Sequence, residues 1–393
     1  MGIIKSLGDT DLYKLTMGYA VNQNFAESEV TYELKIRSKV SWTKEDVQNI
    51  EREVAAMGDI RYTDEELAHL EKRCKFLPKH YLTFLKGFRL NPKHTRVWIE
   101  GDELKVTTQG LWSEEIYWET LMMALISESY FEARAPLSDE QLKEVYEKTK
   151  NKAQRFREMG AYFIDMGTRR RRSYAVHDAV IRGLRDGGGE YFLGTSNIHF
   201  AAKYDLTPHG TMAHELFSAV GAMYGVENAN NIVLGKWVDT YQGLLGIALP
   251  DTFTTDFFLR TFNPFYAKLF DGVRQDSGEP KIWIDKFLNH YNTLGIDART
   301  KKAVFSDGID SFEEMENIIE HVDGRILPSF GIGTWLTNDF EDLEPLNMVF
   351  KLIDARKNGA EPRRCAIKLS DVPGKYNGDE KAIQDYRARI DGK

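Results

Sequence analysis

In the stretch VTYELKIR, Val30, Tyr32, Leu34 and Ile36 alternate with Thr31, Glu33, Lys35 and Arg37. A period of two predicts a strand with one wet face. Upstream, Leu12, Leu15 and Tyr19 recur at helical spacing behind Thr10, which is placed to cap that helix. Charged helical segments are expected from about 44 to 86, one of them opening on the capping-box pair Thr63 and Glu66. RVWIEGDELKVTTQG then reads as two strands around a turn near Gly101 and Asp102. This first part predicts an α+β domain with antiparallel strands.

An apolar-rich helix is expected from Glu114 to Phe131, and the pair Ser138 and Gln141 opens a charged helix ending near Gly160. There the rhythm changes. Short apolar strands alternate with helices: AYFIDMG, EYFLGTS, LTPHGTMA, LGIALPD, DGVRQDSG, KAVFSDG and RILPSFGIG, with amphipathic stretches such as Ser311 to Glu320 between them. Strand then helix, repeated about seven times, predicts a closed or nearly closed barrel. The expected fold class is therefore α/β, an irregular α/β barrel domain plus an α+β domain with antiparallel strands. Residues 1–112 would form the N-terminal domain, joined by 345–393, and 113–344 the barrel. Polar and glycine residues crowd in where each strand ends, at TRRRR, GTSN, HGTMAHE, PDT, RQDSG, SDGID and GIGT. In a parallel barrel these ends share one face, so the clusters would converge there.

Composition narrows the function classes. A chain of 393 residues with 42% hydrophobic and 28% charged residues is globular throughout. A net charge of -8 argues against general attraction to nucleic acid or anionic membranes, so any phosphate site must be local. Cys74 and Cys365, far apart, form no disulfide framework and suit a reducing cytoplasm. The N-terminal MGIIKSLGDTD holds too short an apolar run for a signal peptide, and no window approaches the ~18 apolar residues of a membrane span.

Within GTMAHELF, His214 stands between a small-residue turn and a helix, beside Glu215 and five residues after His209. HELF lacks the second histidine of HExxH, and a spacing of five does not share a helical face, which argues against zinc. There is no GxSxG elbow and no GxxxxGK[ST] loop. FGIGT brings Gly331, Gly333 and Thr334 to a strand end, and SDGID brings Asp307 and Gly308 to the preceding one. Two such loops after successive late strands match the usual barrel phosphate site. The run TRRRR reads as a solvated or nucleic-acid-facing patch, or as a barrel-mouth grip in which Arg169 and Arg171 point inward. In GVRQDSG, Arg274 and Asp276 share one side and can bind phosphate with ribose hydroxyls or magnesium; the alternative is a surface ion pair.

TDLYKLTMGY, GTRRR, GTSN, GTMAHE, VDTY, VRQDSG, FSDG and FGIGT, in this order from about residue 9 to about 353, resemble the bacterial nicotinate phosphoribosyltransferases. The resemblance implies a type II phosphoribosyltransferase that joins nicotinate to phosphoribosyl pyrophosphate, giving nicotinate mononucleotide and pyrophosphate for NAD synthesis. ATP would be hydrolysed alongside, and magnesium would be held mainly through substrate phosphates, with no certain protein ligand. It further implies that His214 takes the ATP γ-phosphate transiently, that Asp239 holds the other ring nitrogen, and that Arg274 and Asp276 meet phosphate and ribose. Tyr13 would stack on the pyridine, in relatives often from the neighbouring subunit, which suggests a homodimer. Arg169 would meet the base or pyrophosphate, Thr195 and Ser196 would lie at the base, and Asp307, Gly308, Gly331, Gly333 and Thr334 would hold the 5'-phosphate. His209 would be structural, and Glu215 would point elsewhere on the helix. Met166 stands where relatives commonly carry Phe. Ser196 stands where nicotinamide-using enzymes of this fold place Asp, which favours the acid substrate. Three other readings compete: a quinolinate-using relative, a sugar-phosphate isomerase or aldolase, and a nucleic-acid binder.

Overall fold

The computed structural model describes residues 2–372, 376 and 378–392 of the chain. In chain order the strands are β1 (Glu29–Ile36), β2 (Thr95–Glu100), β3 (Glu103–Leu111), β4 (Phe163–Asp165), β5 (Phe192–Thr195) and β6 (Ile247–Ala248). They continue as β7 (Gly272–Gln275), β8 (Lys302–Phe305), β9 (Leu327–Ile332), β10 (Met348–Arg356) and β11 (Arg364–Cys365). One sheet has the order β11-β10-β1-β3-β2, and its strand pairs are antiparallel. The other is parallel, in the order β5-β4-β9-β8-β7-β6. The expected α/β class, with a parallel and an antiparallel sheet, holds.

β1 behaves as its alternation requires. Val30, Tyr32 and Leu34 are buried while Glu33 and Lys35 are exposed, and Tyr32 stacks on Phe350 of β10. Helix α1 (Leu12–Asn24) starts one residue later than the cap expected for it. Thr10 turns its hydroxyl to Thr120 instead, and Asp11 occupies the cap position without a side-chain cap bond. Helices α2 (Lys44–Ala56), α3 (Asp64–Arg73) and α4 (Lys79–Gly87) fill the charged region. The Thr63 and Glu66 box opens α3, and a second box, Thr43 with Asp46, opens α2. The apolar helix beyond is two pieces, α5 (Trp112–Glu115) and α6 (Trp118–Arg134), followed by α7 (Asp139–Glu158) behind the Ser138 and Gln141 box.

The barrel contains helices α8 (Tyr174–Gly188), α9 (Ile198–Lys203), α10 (His214–Tyr224) and α11 (Val226–Tyr241) among others. Phe163, Val273, Ala303, Phe305, Phe330 and Ile332 are buried along its strands. LTPHGTMA is not a seventh strand, which corrects the sequence reading. Pro208 has no N–H for a ladder, and Gly210 takes a φ of +154°. The segment still fills the gap. The amide of Thr195 donates to Thr207 O at 3.3 Å, His209 N donates to Thr195 O at 2.9 Å, and the Thr211 hydroxyl donates to Ile247 O at 2.9 Å. Irregular backbone thus joins β5 to β6 and closes the ring.

The chain beyond 345 divides between the two sheets. β10 pairs with β1 along its length, whereas helix Glu380–Ile390 lies against α11, and Arg260 donates to Ile390 O at 2.8 Å. α10 packs on both β10 and α11, so the residue that begins α10, His214, sits where the two sheets meet. Among the described residues no helix is long and apolar enough to cross a membrane.

Candidate active site

The C-terminal ends of the parallel strands meet around one mouth. Arg274 lies in β7 and Asp276 just past it, and Arg274 Nη2 donates to Asp276 Oδ1 at 2.9 Å. Ser306, just past β8, donates to the same oxygen at 3.2 Å. The other oxygen of Asp276 lies 2.7 Å from His214 Nε2, while His214 Nδ1 lies 2.9 Å from the Thr252 hydroxyl. At the end of β9, a Cβ added to Gly331 would stand 2.5 Å from Met166 Sδ and 3.2 Å from Ser306 Cβ. The loops after β4, β8 and β9 therefore touch, and the Met166 thioether packs on the glycine backbone. On the other side, a Cβ at Gly210 would stand 2.7 Å from Tyr13 N, and the Thr16 hydroxyl donates to Thr211 O at 2.6 Å. Only glycine lets this turn approach α1 so closely. Leu12 N donates to Ser196 O, and Ser196 N to Asp165 O, each at 2.8 Å, which completes the circle.

Two loops offer open backbone. Gly308 has a φ of +71° and nothing near its missing Cβ, and Gly333 precedes a single helical turn begun by Thr334. Asp307 N donates to Gln275 Oε1 at 3.3 Å, tying the first loop to β7.

Electrostatics set the protonation of the centre. Burial would raise the Asp276 carboxyl, but Arg274, His214 and Lys368 outweigh it and hold it well below the usual carboxylate range. Burial and Lys368 push His214 below the ordinary 6.5, against the pull of Asp251 and Asp276. The imidazole is therefore neutral near neutral pH, and its side chain is 19% exposed, so solutes can reach it. Lys368 Nζ stands 2.8 Å from His214 Nε2 and 3.8 Å from the carboxylates of Asp251 and Asp276. Nε2 faces one donor and one acceptor and satisfies only one at a time; with the proton on Nδ1, its lone pair is directed to Lys368. Asp251 accepts from the Ser277 hydroxyl at 2.6 Å, and its Oδ1 is buried without a partner. That orphaned oxygen and Asp276 are the carboxylate positions suited to a divalent cation arriving with substrate. Lys351 on β10 lies alongside, its ammonium pushed down to about 7 by burial and by the charges of Arg37, Lys368 and Lys35.

Towards α1, the Tyr13 hydroxyl donates to Glu119 Oε2 at 3.3 Å. Arg169 Nη1 lies 3.6 Å from Glu119 Oε1 with its side chain 45% exposed. Ser196 donates to Asp11 Oδ1 at 2.7 Å.

Several expected residues lie elsewhere. Asp239 does not reach His214: its side chain is 71% exposed and 3.9 Å from Lys236, because α11 buries Trp237 and Tyr241 and turns Asp239 the opposite way. The second ring nitrogen meets Thr252 instead. Arg171 does not grip substrate. Thr168–Arg170 is a 3-10 turn, so strand alternation fails, and Arg171 is buried with Asp9 at 2.6 and 2.8 Å and Glu128 at 3.3 Å. Thr195 is buried with its hydroxyl given to Asp165 at 2.6 Å and its amide and carbonyl both paired, so it supports the mouth from behind. His209 is held by Leu193 O at 2.9 Å, and Glu215 turns away to Lys14.

Sequence reading missed Lys368, Asp251, Thr252, Lys14 and Glu119. The polar PDT cluster flagged the second and third; Lys368, 154 positions from His214, carries no local signal.

Comparison with known proteins gives a consistent result. The profile described as Nicotinate phosphoribosyltransferase (NAPRTase) family matches residues 161–391, and that of its N-terminal domain matches residues 9–127. The nicotinate phosphoribosyltransferase of Desulforapulum autotrophicum is 42% identical over 384 residues, 97% of each chain. A crystal structure of nicotinate phosphoribosyltransferase from Porphyromonas gingivalis superposes with a TM-score of 0.96 at 37% identity, covering 99% of this chain and 100% of that one. One from Vibrio cholerae gives 0.91 at 33% identity, covering 99% and 94%.

Proposed function

The chain belongs to the nicotinate phosphoribosyltransferase family, and from that premise we propose that ATP hydrolysis drives its reaction through transient phosphorylation of His214. Its activity is nicotinate phosphoribosyl transfer in NAD biosynthesis, with nicotinate and phosphoribosyl pyrophosphate as substrates.

In the transfer itself the pyridine nitrogen attacks C1' and the C1'–O bond breaks, its electron pair leaving on pyrophosphate. No general base is needed, because that nitrogen has no proton to lose. Arg274 and Arg169 stabilise the charge growing on the leaving group or hold the base carboxylate, while the open loops at Gly308, Gly331, Gly333 and Thr334 receive the 5'-phosphate. Tyr13 supplies an aromatic face for the pyridine. Magnesium, when bound on the substrate phosphates, would neutralise part of their charge, with Asp251 and Asp276 the residues that would meet it.

The observation that carries the phosphohistidine reading is a neutral, reachable imidazole with an ammonium 2.8 Å from Nε2. Lys368 moves from Nε2 onto the γ-phosphate oxygens, and the freed Nε2 lone pair attacks the γ-phosphorus as the bond from phosphorus to the ADP oxygen breaks, its electron pair leaving on ADP. Water later takes the phosphoryl group as phosphate. A homodimer and a cytoplasmic location belong to the same reading. The test is His214→Ala, assayed with nicotinate, phosphoribosyl pyrophosphate and magnesium, with and without ATP. Coupled ATP hydrolysis and acid-labile protein phosphate are expected to vanish while slow ATP-independent synthesis persists; full coupling in the variant would refute the role. Ser196→Asp tests the preference for the acid. It is expected to shift the ratio of specificity constants towards nicotinamide, and an unchanged ratio counts against Ser196 as the discriminating residue.

A further inference from the structure

Lys14 has no exposed side-chain surface, and its Nζ meets the carboxylates of Glu119 and, at 2.7 Å, Glu215. These two acids lead in opposite directions. Glu119 lies under the base pocket, accepting from the Tyr13 hydroxyl and facing Arg169 at 3.6 Å. Glu215 is the residue after His214 in the first turn of α10, and its Oε1 is buried without a partner. Two carboxylates against one ammonium leave a net negative charge, which Arg169 balances from its exposed side.

We propose that Lys14, Glu119 and Glu215 form a positioning relay through which a proton on Glu215 lets Arg169 close on the substrate carboxylate. The proposal rests on the reading that Arg169 meets the carboxylate of nicotinate. When Arg169 turns to that carboxylate, Glu119 loses part of its cationic cover. A proton on Glu215 frees Lys14 to serve Glu119 alone and removes the surplus negative charge from the interior. The groups facing Glu215 are Lys14 from α1, Glu119 from α6 and the Tyr32 hydroxyl from β1, which, like Lys14, favours the carboxylate form. Burial and the charge of Glu119 push the Glu215 carboxyl up to about 7 against the pull of Lys14 and Tyr32, which puts its proton within reach of neutral pH. Reciprocity fixes the sign: if the protonated form binds nicotinate more tightly, nicotinate binding draws in a proton and weakens as pH rises.

The experiment is the KM for nicotinate at saturating phosphoribosyl pyrophosphate across neutral pH, with kcat measured alongside. In the unaltered enzyme KM is expected to rise several-fold per pH unit, with about tenfold the limit for one linked proton, while kcat moves less. Glu215→Gln is expected to hold KM flat near its low-pH value, and Glu119→Gln, which removes the internal competitor for Arg169, to do the same. A wild-type slope surviving in Glu215→Gln overturns the relay. Arg169→Met is the separate check on the underlying assignment, expected to raise the nicotinate KM at every pH; an unchanged KM there overturns that assignment itself. Calorimetry of nicotinate binding to the unaltered enzyme in two buffers of different ionisation enthalpy is expected to show net proton uptake, and no uptake overturns the relay without any substitution.

Discussion

Two buried clusters lie behind the mouth, each a single cation between two carboxylates, and they hold their acids differently. Arg171 gives Asp9 a two-pronged hydrogen bond and reaches Glu128 with the same fork, and Asn197 adds a further donor to Asp9 at 2.9 Å. Burial works against the Asp9 carboxylate, yet Arg171 and Asn197 outweigh it and hold it below the ordinary range. Lys14 is a point charge shared between Glu119 and Glu215, with one oxygen left orphaned and a half-open arginine next door. Equal charge counts thus give a firm two-pronged tie on one acid, Asp9, where the cation is a planar fork, and a divided point charge where it is a compact ammonium; in each cluster the second acid, Glu128 or Glu215, is left with a raised carboxyl.

The contrast breaks most visibly through stability. Arg171→Met strands Asp9 inside and is expected to cost about 3–5 kcal/mol in thermal or urea unfolding. The folded fraction is expected to keep its KM for nicotinate. Lys14→Met is expected to cost less, about 2 kcal/mol, because Glu215 can take up a proton, and to alter that KM. A loss from Lys14→Met as large as that from Arg171→Met would erase the distinction. Glu128 marks where the two clusters agree. Burial raises this carboxyl from 4.5 to about 7 despite Arg171, so the native chain holds a proton that the unfolded chain has released in that interval. Wild-type stability therefore falls as pH rises through the window and levels off above it. Glu128→Gln is expected to flatten the fall, gaining about 1–2 kcal/mol relative to wild type between the acid and the alkaline side in urea titrations. Asp239→Ala, at an exposed surface pair, is expected to change stability by less than about 0.5 kcal/mol and leave turnover as it was.

The elements were legible wherever local pattern decided them. The alternation of Val30, Tyr32 and Leu34 fixed β1, and the Thr63 and Glu66 box fixed the start of α3. The mouth was legible in outline, because glycine and polar residues marked the ends of strands. What stayed hidden depended on partners far along the chain. Lys14, between Tyr13 and Leu15, has the local character of a surface residue, and only α6 and α10 make it an interior one. The partners of His214 required knowing that α11 faces Trp237 inward and Asp239 out, and that the tail returns Lys368 to β7. Arg171 was misjudged because a 3-10 turn replaced extended backbone.

The pairing of β1 with β10 has a consequence for birth at the ribosome. Glu29 and Arg356, which share an ion pair across that seam, are separated by 327 positions. The first strand made thus emerges with one flank bare and must wait for nearly the whole polypeptide before its neighbour appears. Such a long vigil invites stray pairing between nascent chains, and it makes this seam the place where holding chaperones would matter most.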